Sequence, residues 1–410
     1  MKDVIGILVK ELDRIHKTKT FKKETPLESQ QDAVVKVEGE DVIMLASNNY
    51  LGLSSHPRIK RAAIRGIEKF GHGVASVRFI CGTQTVHKEL EERIASFLGA
   101  EDAILFMSCF SANEGLFASL VNEKLEYENY TDVIYSDRLN HASIIDGMRL
   151  CNPRTTEKKI YPHTDTESLR NMLNEDKNKN YRFRIIATDG VFSMEGDLAP
   201  LDELVVISEE YDAILVVDDS HAVGVLGKGG RGTPEELHVF GKVDLQTGTL
   251  GKALGGAAGG YIAGKKDIIT YLRQKSRPYT FSNSLPPPIV CAAIEAINIL
   301  EEDASLVEKL RENTIYFRSK LKDMGFTIID GIHPIIPIML GEAPITMLMS
   351  EELLKQGVYI KGLWYPVVPE GEARLRAQIS AVLEMREMDK ALNAFYNVGK
   401  KLGVLNSKKL

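Results

Sequence analysis

A chain of 410 residues that is 44% hydrophobic and 26% charged can bury a large core and a smaller second one, and its lack of any run of about 18 apolar residues argues against a membrane-spanning helix. With 51 basic and 57 acidic side chains the formal charge is −6, so nothing in the overall balance attracts nucleic acid or an anionic membrane, and an anionic ligand must be held locally. Four well-separated cysteines (Cys81, Cys109, Cys151, Cys291) offer neither metal-ligand spacing nor a disulfide framework; no metal site is expected, and a reducing cytoplasm is the expected compartment.

In chain order, residues 1–55 read as an N-terminal segment whose start mixes Lys10 and Lys17 with Asp3, Glu11 and Asp13, unlike a signal or transit peptide. From 56 to 300, apolar runs at 103–106, 133–135, 184–188, 213–217, 245–247 and 260–263 alternate with helix-period segments at 142–150, 166–173 and 201–211. That alternation predicts parallel strands joined by crossover helices, hence a three-layer α/β domain with a mostly parallel central sheet and its ligand groups at the strand C-terminal ends. The polar stretch 122–132 reads as a surface excursion. After Pro286-Pro287-Pro288 a helical pattern runs to about 323, strand-like pieces follow at 326–329 and 335–340, and a last helix starts near 386. Residues 301–410 are therefore expected to form a smaller α+β domain.

Chemistry-bearing residues cluster where the strands should end. Asp218 and Asp219 terminate the run 213–217, followed by Ser220-His221, and Lys252 sits in the glycine-flanked turn Thr249-Leu250-Gly251-Lys252-Ala253-Leu254-Gly255-Gly256. A buried carboxylate at a strand end needs a cation, and a protonated pyridine nitrogen supplies one; a lysine amine in a turn open to a bulky ring can form a Schiff base with an aldehyde. The pair points to pyridoxal phosphate. Asp218 is the candidate partner of the ring nitrogen, since Asp219 should face the other side of the strand. His221 is the candidate at the phenolic oxygen. His141, before a helix that Ser143 is positioned to cap, is the candidate ring that stacks on the pyridine. The backbone amides of Cys109 and Phe110, at the start of the helix after 103–106, form the expected phosphate seat, with the Thr249 hydroxyl beside it. Ser193, Ser282 and Asn283 are expected to complete the ring and phosphate contacts. Arg374 and Arg376 present two guanidiniums on one face of a strand, either as a carboxylate clamp or as a solvated edge.

With those residues placed, the chain resembles the α-oxoamine synthases, fold-type I pyridoxal phosphate enzymes, from Ser47-Asn48-Asn49-Tyr50-Leu51-Gly52-Leu53 to about Gly403. The most telling blocks are Ala75-Ser76-Val77-Arg78-Phe79-Ile80-Cys81-Gly82-Thr83-Gln84, Asn140-His141-Ala142-Ser143, Asp189-Gly190-Val191-Phe192-Ser193-Met194 and Tyr279-Thr280-Phe281-Ser282-Asn283-Ser284. The resemblance implies a catalytic set of Lys252, His141, Asp218 and His221. It assigns Arg376, rather than Arg374, to the substrate carboxylate with Asn48 nearby. It also implies a homodimer in which Ser282 and Asn283 reach the partner's cofactor phosphate. The expected reaction joins glycine to acetyl-CoA, with release of CoA; alanine with a long acyl thioester is the alternative. A dinucleotide-binding oxidoreductase is disfavoured because 248–260 lacks the G-x-G-x-x-G order. A fold that has lost its chemistry is disfavoured because Lys252 and Asp218 are both present.

Overall fold

The structure is a computed structural model that describes residues 3–18, 21 and 24–405; the remaining positions of the expected N-terminal segment and of the C-terminal tail lie outside the described residues. It opens with an exposed helix, α1 (Val4–Lys17), and an antiparallel pair, β1 (Val34–Val37) and β2 (Glu40–Met44). Helices α2 (Pro57–Phe70) and α3 (Thr85–Leu98) then lead into the central sheet.

That sheet has seven strands. In chain order they are β3 (Asp102–Phe106), β4 (Asp132–Asp137), β5 (Thr156–Tyr161), β6 (Arg184–Asp189), β7 (Ile214–Asp218), β8 (Leu245–Thr249) and β9 (Gly260–Gly264). Across the sheet the order is β3-β9-β8-β7-β6-β4-β5. The run from β8 to β5 is parallel and β9 is antiparallel to both of its neighbours, so the sheet is mostly parallel, as expected. Helices α4 (Cys109–Val121), α5 (Ala142–Arg149), α6 (Thr166–Glu175) and α7 (Leu201–Glu210) connect the strands.

Strand alternation assigns alternate side chains to opposite faces. Ile134, Ile185, Val216 and Ile262 pack under α4 and α5, whereas Val133, Ile186, Leu215 and Val217 pack against α6 and α7. Ala103, Leu105, Tyr261 and Ala263 meet α3 and the helix Pro287–Glu302 on that second side. Helices on both faces account for strands that are apolar throughout rather than alternating.

Beyond residue 300 a three-stranded sheet forms from β10 (Ile335–Gly341), β12 (Lys361–Leu363) and β13 (Ala373–Gln378), with β13 in the middle; β11 (Val358–Tyr359) pairs instead with β2, in parallel. The chain after β2 continues beside β13: Gln378 N donates to Leu45 O at 2.9 Å and Ala381 N to Tyr50 O at 2.7 Å. The N-terminal segment is thereby tied to the C-terminal elements.

Several expectations need correction. The helical pattern after the proline cluster is two helices, Pro287–Glu302 and Ser305–Asp323, broken where Asp303 becomes extended. Residues 326–329 lie along the outer edge of β10 as an isolated bridge, Ile328 to Ile338, with Ile329 N donating to Pro337 O at 3.2 Å and Met339 N to Thr327 O at 2.8 Å, rather than as a full strand. β5 escaped notice because it is an edge strand whose outer residues are polar, and the helix Ala343–Lys355 also went unread. The excursion 122–132 is exposed through its middle but anchored at its ends: Asn122 bonds to the Leu150 carbonyl at 3.0 Å, and buried Asp132 pairs with Arg182 at 2.6 Å. No described helix is long and apolar enough to cross a membrane.

One glycine sets the distance between sheet and helix at the functional edge. A Cβ at Gly260 would lie 2.2 Å from Cys109 N and 2.4 Å from Ser108 C, both backbone atoms that cannot swing away. Gly260→Ala is expected to destabilise the fold by about 1–3 kcal/mol through overpacking, measured by thermal unfolding; an unchanged midpoint would refute the close-approach argument.

Candidate active site

Three neighbouring parallel strands end in polar residues, Asp189 on β6, Asp218 on β7 and Thr249 on β8, and a cavity of about 200 Å³ opens above them. Asp218 is 5% exposed, and its carboxylate accepts hydrogen bonds from Asn113 Nδ2 at 2.7 Å and Ser220 N at 3.0 Å. The Cys109 thiol lies 3.6 Å from the same carboxylate, and burial pushes that thiol well up. All of these donors are neutral, and among the described residues no cation forms an ion pair with this carboxylate, the Lys252 amine acting on it only across the cavity. Asp219 points the other way, as the pleat requires, and is satisfied within the protein by Thr233 N at 2.9 Å, Thr233 Oγ1 at 2.5 Å and Gln246 Nε2 at 2.9 Å. Burial pushes the Asp219 carboxyl up to about 7.

Lys252, half-buried in the turn after β8, lines the same cavity. Burial lowers its amine to about 8, with Asp218 pulling in the opposite direction. A substantial neutral fraction near physiological pH makes this amine a nucleophile.

The anion seat is built by α4. Ser108 caps it by accepting from Ser111 N at 3.1 Å, which leaves the amides of Cys109 and Phe110 at the cavity rim. Thr249 borders the cavity too, but its hydroxyl donates to Gly259 O at 3.1 Å and accepts from Gly251 N at 3.0 Å, which shapes the lysine turn. Ser220 Oγ, also at the wall, is buried with no hydrogen-bond partner.

His141 itself caps α5, in place of Ser143: its Nδ1 accepts from Ser143 N at 3.2 Å and pairs with Ser143 Oγ at 2.7 Å. Its backbone N donates to Asp189 Oδ2 at 3.0 Å, holding the ring at the cavity, and burial lowers its pKa so that it is neutral. His221 pairs through Nδ1 with Tyr50 Oη at 2.9 Å, and burial drives its pKa well below the usual imidazole value.

Not every candidate reaches the cavity. Ser193 stands aside and Val191 takes the wall; the Ser193 carbonyl instead accepts from Arg376 Nη1 at 2.8 Å. Ser282 and Asn283 do not line this chain's cavity, and Asn283 bridges Val77 on a partly exposed loop. Arg376 is half-buried on β13, next to Gln378, which bonds to Asn48 Oδ1. Arg374 is 1% exposed and paired with Glu372 at 2.8 Å and Glu195 at 3.4 Å; the reading of a solvated edge fails because β13 is a central strand. Asn113, Ser220, Asp189, Tyr50 and Gln378 were missed. Only Asn113 carried a usable signal, one helical turn beyond Cys109.

The wall thus offers an anion seat, a reactive amine and a carboxylate in need of a cation, which is the donor set that a phosphorylated pyridine aldehyde requires. Comparison with known proteins agrees. The family pattern of aminotransferase class I and II matches residues 40–395. The chain belongs to that family. Among its relatives, 2-amino-3-ketobutyrate coenzyme A ligase of Salmonella typhimurium is 47% identical over 399 residues, spanning 97% of this chain and 98% of that protein. The 8-amino-7-oxononanoate synthase 1 of Bacillus velezensis is 46% identical over 392 residues, 96% of this chain and 97% of that one. Among solved structures, a serine palmitoyltransferase variant from S. paucimobilis with bound PLP-myriocin aldimine superposes with a TM-score of 0.90 at 28% identity, covering 98% of this chain and all of that one. In this member of the family the sheet edge, the helix cap and the lysine turn meet at one cavity.

Two outcomes follow. Reductive trapping of an aromatic aldehyde on Lys252 should rise with pH through about 8 and then level off, because only the neutral amine adds to a carbonyl; a flat yield across that range would count against the lowered pKa. Asn113→Ala removes a donor to a charged acceptor, so affinity for pyridoxal phosphate should fall about tenfold in equilibrium dialysis, and an unchanged affinity would detach Asn113 from the site.

Proposed function

We propose that this protein is a pyridoxal phosphate-dependent glycine C-acetyltransferase, which condenses glycine with acetyl-CoA to 2-amino-3-oxobutyrate and CoA and runs the same reaction backward. The observation that carries this reading is the pairing of the low-pKa Lys252 amine with the cation-short Asp218 carboxylate in one cavity, in a chain 47% identical to a 2-amino-3-ketobutyrate coenzyme A ligase across nearly its whole length.

Bound in this cavity, pyridoxal phosphate supplies an aldehyde for amine capture and an electron sink for charge developing at the substrate Cα. The protein's own groups do the rest. Lys252 would carry the covalent attachment and, as a free amine, would take the Cα proton of glycine. Asp218 would hold a proton on the pyridine nitrogen, His221 would donate to the phenolic oxygen, and the His141 ring would lie against the pyridine. Cys109 and Phe110 would donate their amides to the phosphate, beside Thr249. Arg376, backed by the Ser193 carbonyl and with Asn48 nearby, holds the glycine carboxylate. As the new carbon–carbon bond forms at the thioester carbonyl, the carbon–sulfur bond breaks and CoA leaves as the thiolate.

Ser282 and Asn283 act on the cofactor phosphate of the second subunit of a homodimer. Phe79, Ile80 and Phe281 are 65%, 69% and 70% exposed around this loop, which fits a surface that a second copy covers. Threonine breakdown in the cytoplasm is the setting this activity suits. A second reading, 8-amino-7-oxononanoate synthase or a chain with both activities, is favoured by the 46% identity to the Bacillus velezensis enzyme.

An absorption spectrum of the purified holoenzyme, followed by glycine or alanine and then acetyl-CoA or a long-chain acyl-CoA, tests both readings. The expected result is a visible band that glycine perturbs, with thiol release from acetyl-CoA, and a loss of at least about a hundredfold in turnover for Lys252→Ala. Release only with alanine and the long acyl thioester would move the assignment to the second reading. No band after adding pyridoxal phosphate would overturn both.

A further inference from the structure

The hydrogen bonds behind His221 have a direction. Arg376 and Gln378, two apart on β13, share a face of the strand. The Arg376 guanidinium has only donors, and its Nη2 meets Gln378 Oε1 at 3.5 Å, which turns the Gln378 amide nitrogen to the opposite side. There Nε2 donates to Asn48 Oδ1 and to Tyr50 Oη at 3.3 Å. Because the Tyr50 oxygen accepts at that contact, its own proton points to the remaining neighbour, His221 Nδ1, at 2.9 Å.

Both members of that last contact are in the required state. Burial raises the Tyr50 phenol to about 12, so it keeps its proton. Burial first, and then the nearby Lys252, His333, Arg376 and His141, oppose protonation of the His221 ring, so the imidazole is neutral. A neutral imidazole that accepts at Nδ1 carries its hydrogen on Nε2. His333 holds the backbone behind it: its Nδ1 accepts from Ile335 N at 3.1 Å, which leaves Nε2 to donate to the His221 carbonyl at 2.8 Å.

We propose that Tyr50 and Gln378 are positioning residues that lock His221 in the Nε2–H tautomer, so that His221 meets the cofactor's phenolic oxygen as a donor. This rests on pyridoxal phosphate occupying the cavity as assigned above. Tyr50 comes from the segment after β2 and Gln378 from β13, so the donor state of a group on the large sheet is set by two remote stretches of chain.

The test is nitrogen-15 NMR of histidine-labelled holoenzyme, with His221→Asn to assign the signal, together with a pH titration of the visible cofactor band. Wild type should show the Nε2–H form. Tyr50→Phe keeps the ring and removes the phenol, so His221 should become a mixture of tautomers. Gln378→Glu places a carboxylate beside Arg376 that accepts a hydrogen bond from the Tyr50 hydroxyl, so the Tyr50 oxygen accepts from His221, which should switch to Nδ1–H. In both variants the band's titration midpoint should move by roughly one unit and kcat should fall about three- to tenfold. For Tyr50→Phe the KM for glycine should stay within about twofold, a split that general loosening of the fold would not produce. A wild-type Nδ1–H signal, or an intact band with unchanged tautomer and titration in either variant, overturns the relay alone. A wild-type protein that takes up no cofactor overturns the cofactor assignment and the relay with it.

Discussion

A carboxylate buried at the end of β7 without a cation of its own is the constraint on which the site depends. Asp218 is held by the Asn113 amide and a backbone N–H, with a thiol nearby, and each of these is neutral. Burying a charge among neutral donors, with only the Lys252 amine acting on it across the cavity, is costly, and a ligand's cation would offset that cost. Its neighbour makes the contrast plain. Asp219 meets two donors from Thr233 and one from Gln246 and so holds the start of the short helix Thr233–Glu236. Adjacent acids of identical chemistry thus have opposite roles, separated only by the pleat of one strand.

The parallel sheet converts that local fact into a site. In a parallel array every strand delivers its last residue to the same edge, so Asp189, Asp218 and Thr249 arrive together although they lie up to 60 residues apart in the chain. The helix after β3 begins at that edge as well, and its amides face the cavity because Gly260 lets the backbone of α4 come close to β9. The lysine turn joins β8 to β9, the one antiparallel connection in this region, and it therefore curls back over the edge instead of crossing to the far side.

The C-terminal elements supply what the large sheet lacks. β13 carries Arg376 toward the Ser193 carbonyl, and the stretch after β2 runs alongside it, bringing Asn48 and Tyr50 against Gln378. Arg374, two residues from Arg376, is itself buried and is consumed in ion pairs with Glu195 and with the exposed Glu372, which ties β13 to the loop after β6. Of two similar arginines, one is spent on ion pairs and the other turns its guanidinium to the Ser193 carbonyl and Gln378.

The sequence by itself determined the strand and helix alternation around the central sheet, the Asp218 and Lys252 pair, and the helix start at Cys109, because each is encoded locally: in apolar runs, in a glycine-flanked turn and in a cap. It did not determine the edge strand β5, whose outward residues are polar, nor the break at Asp303, where both flanks read as helix. It placed Ser193 and Thr249 near the right edge without revealing that the Ser193 carbonyl, rather than its hydroxyl, does the bonding, or that the Thr249 hydroxyl is spent on its own turn. Tyr50 and Gln378 were decided by tertiary structure alone. Their roles come from which atoms meet across up to 330 residues of separation, and the direction of a hydrogen bond depends on what lies on both sides of each group, which no local pattern in a chain records.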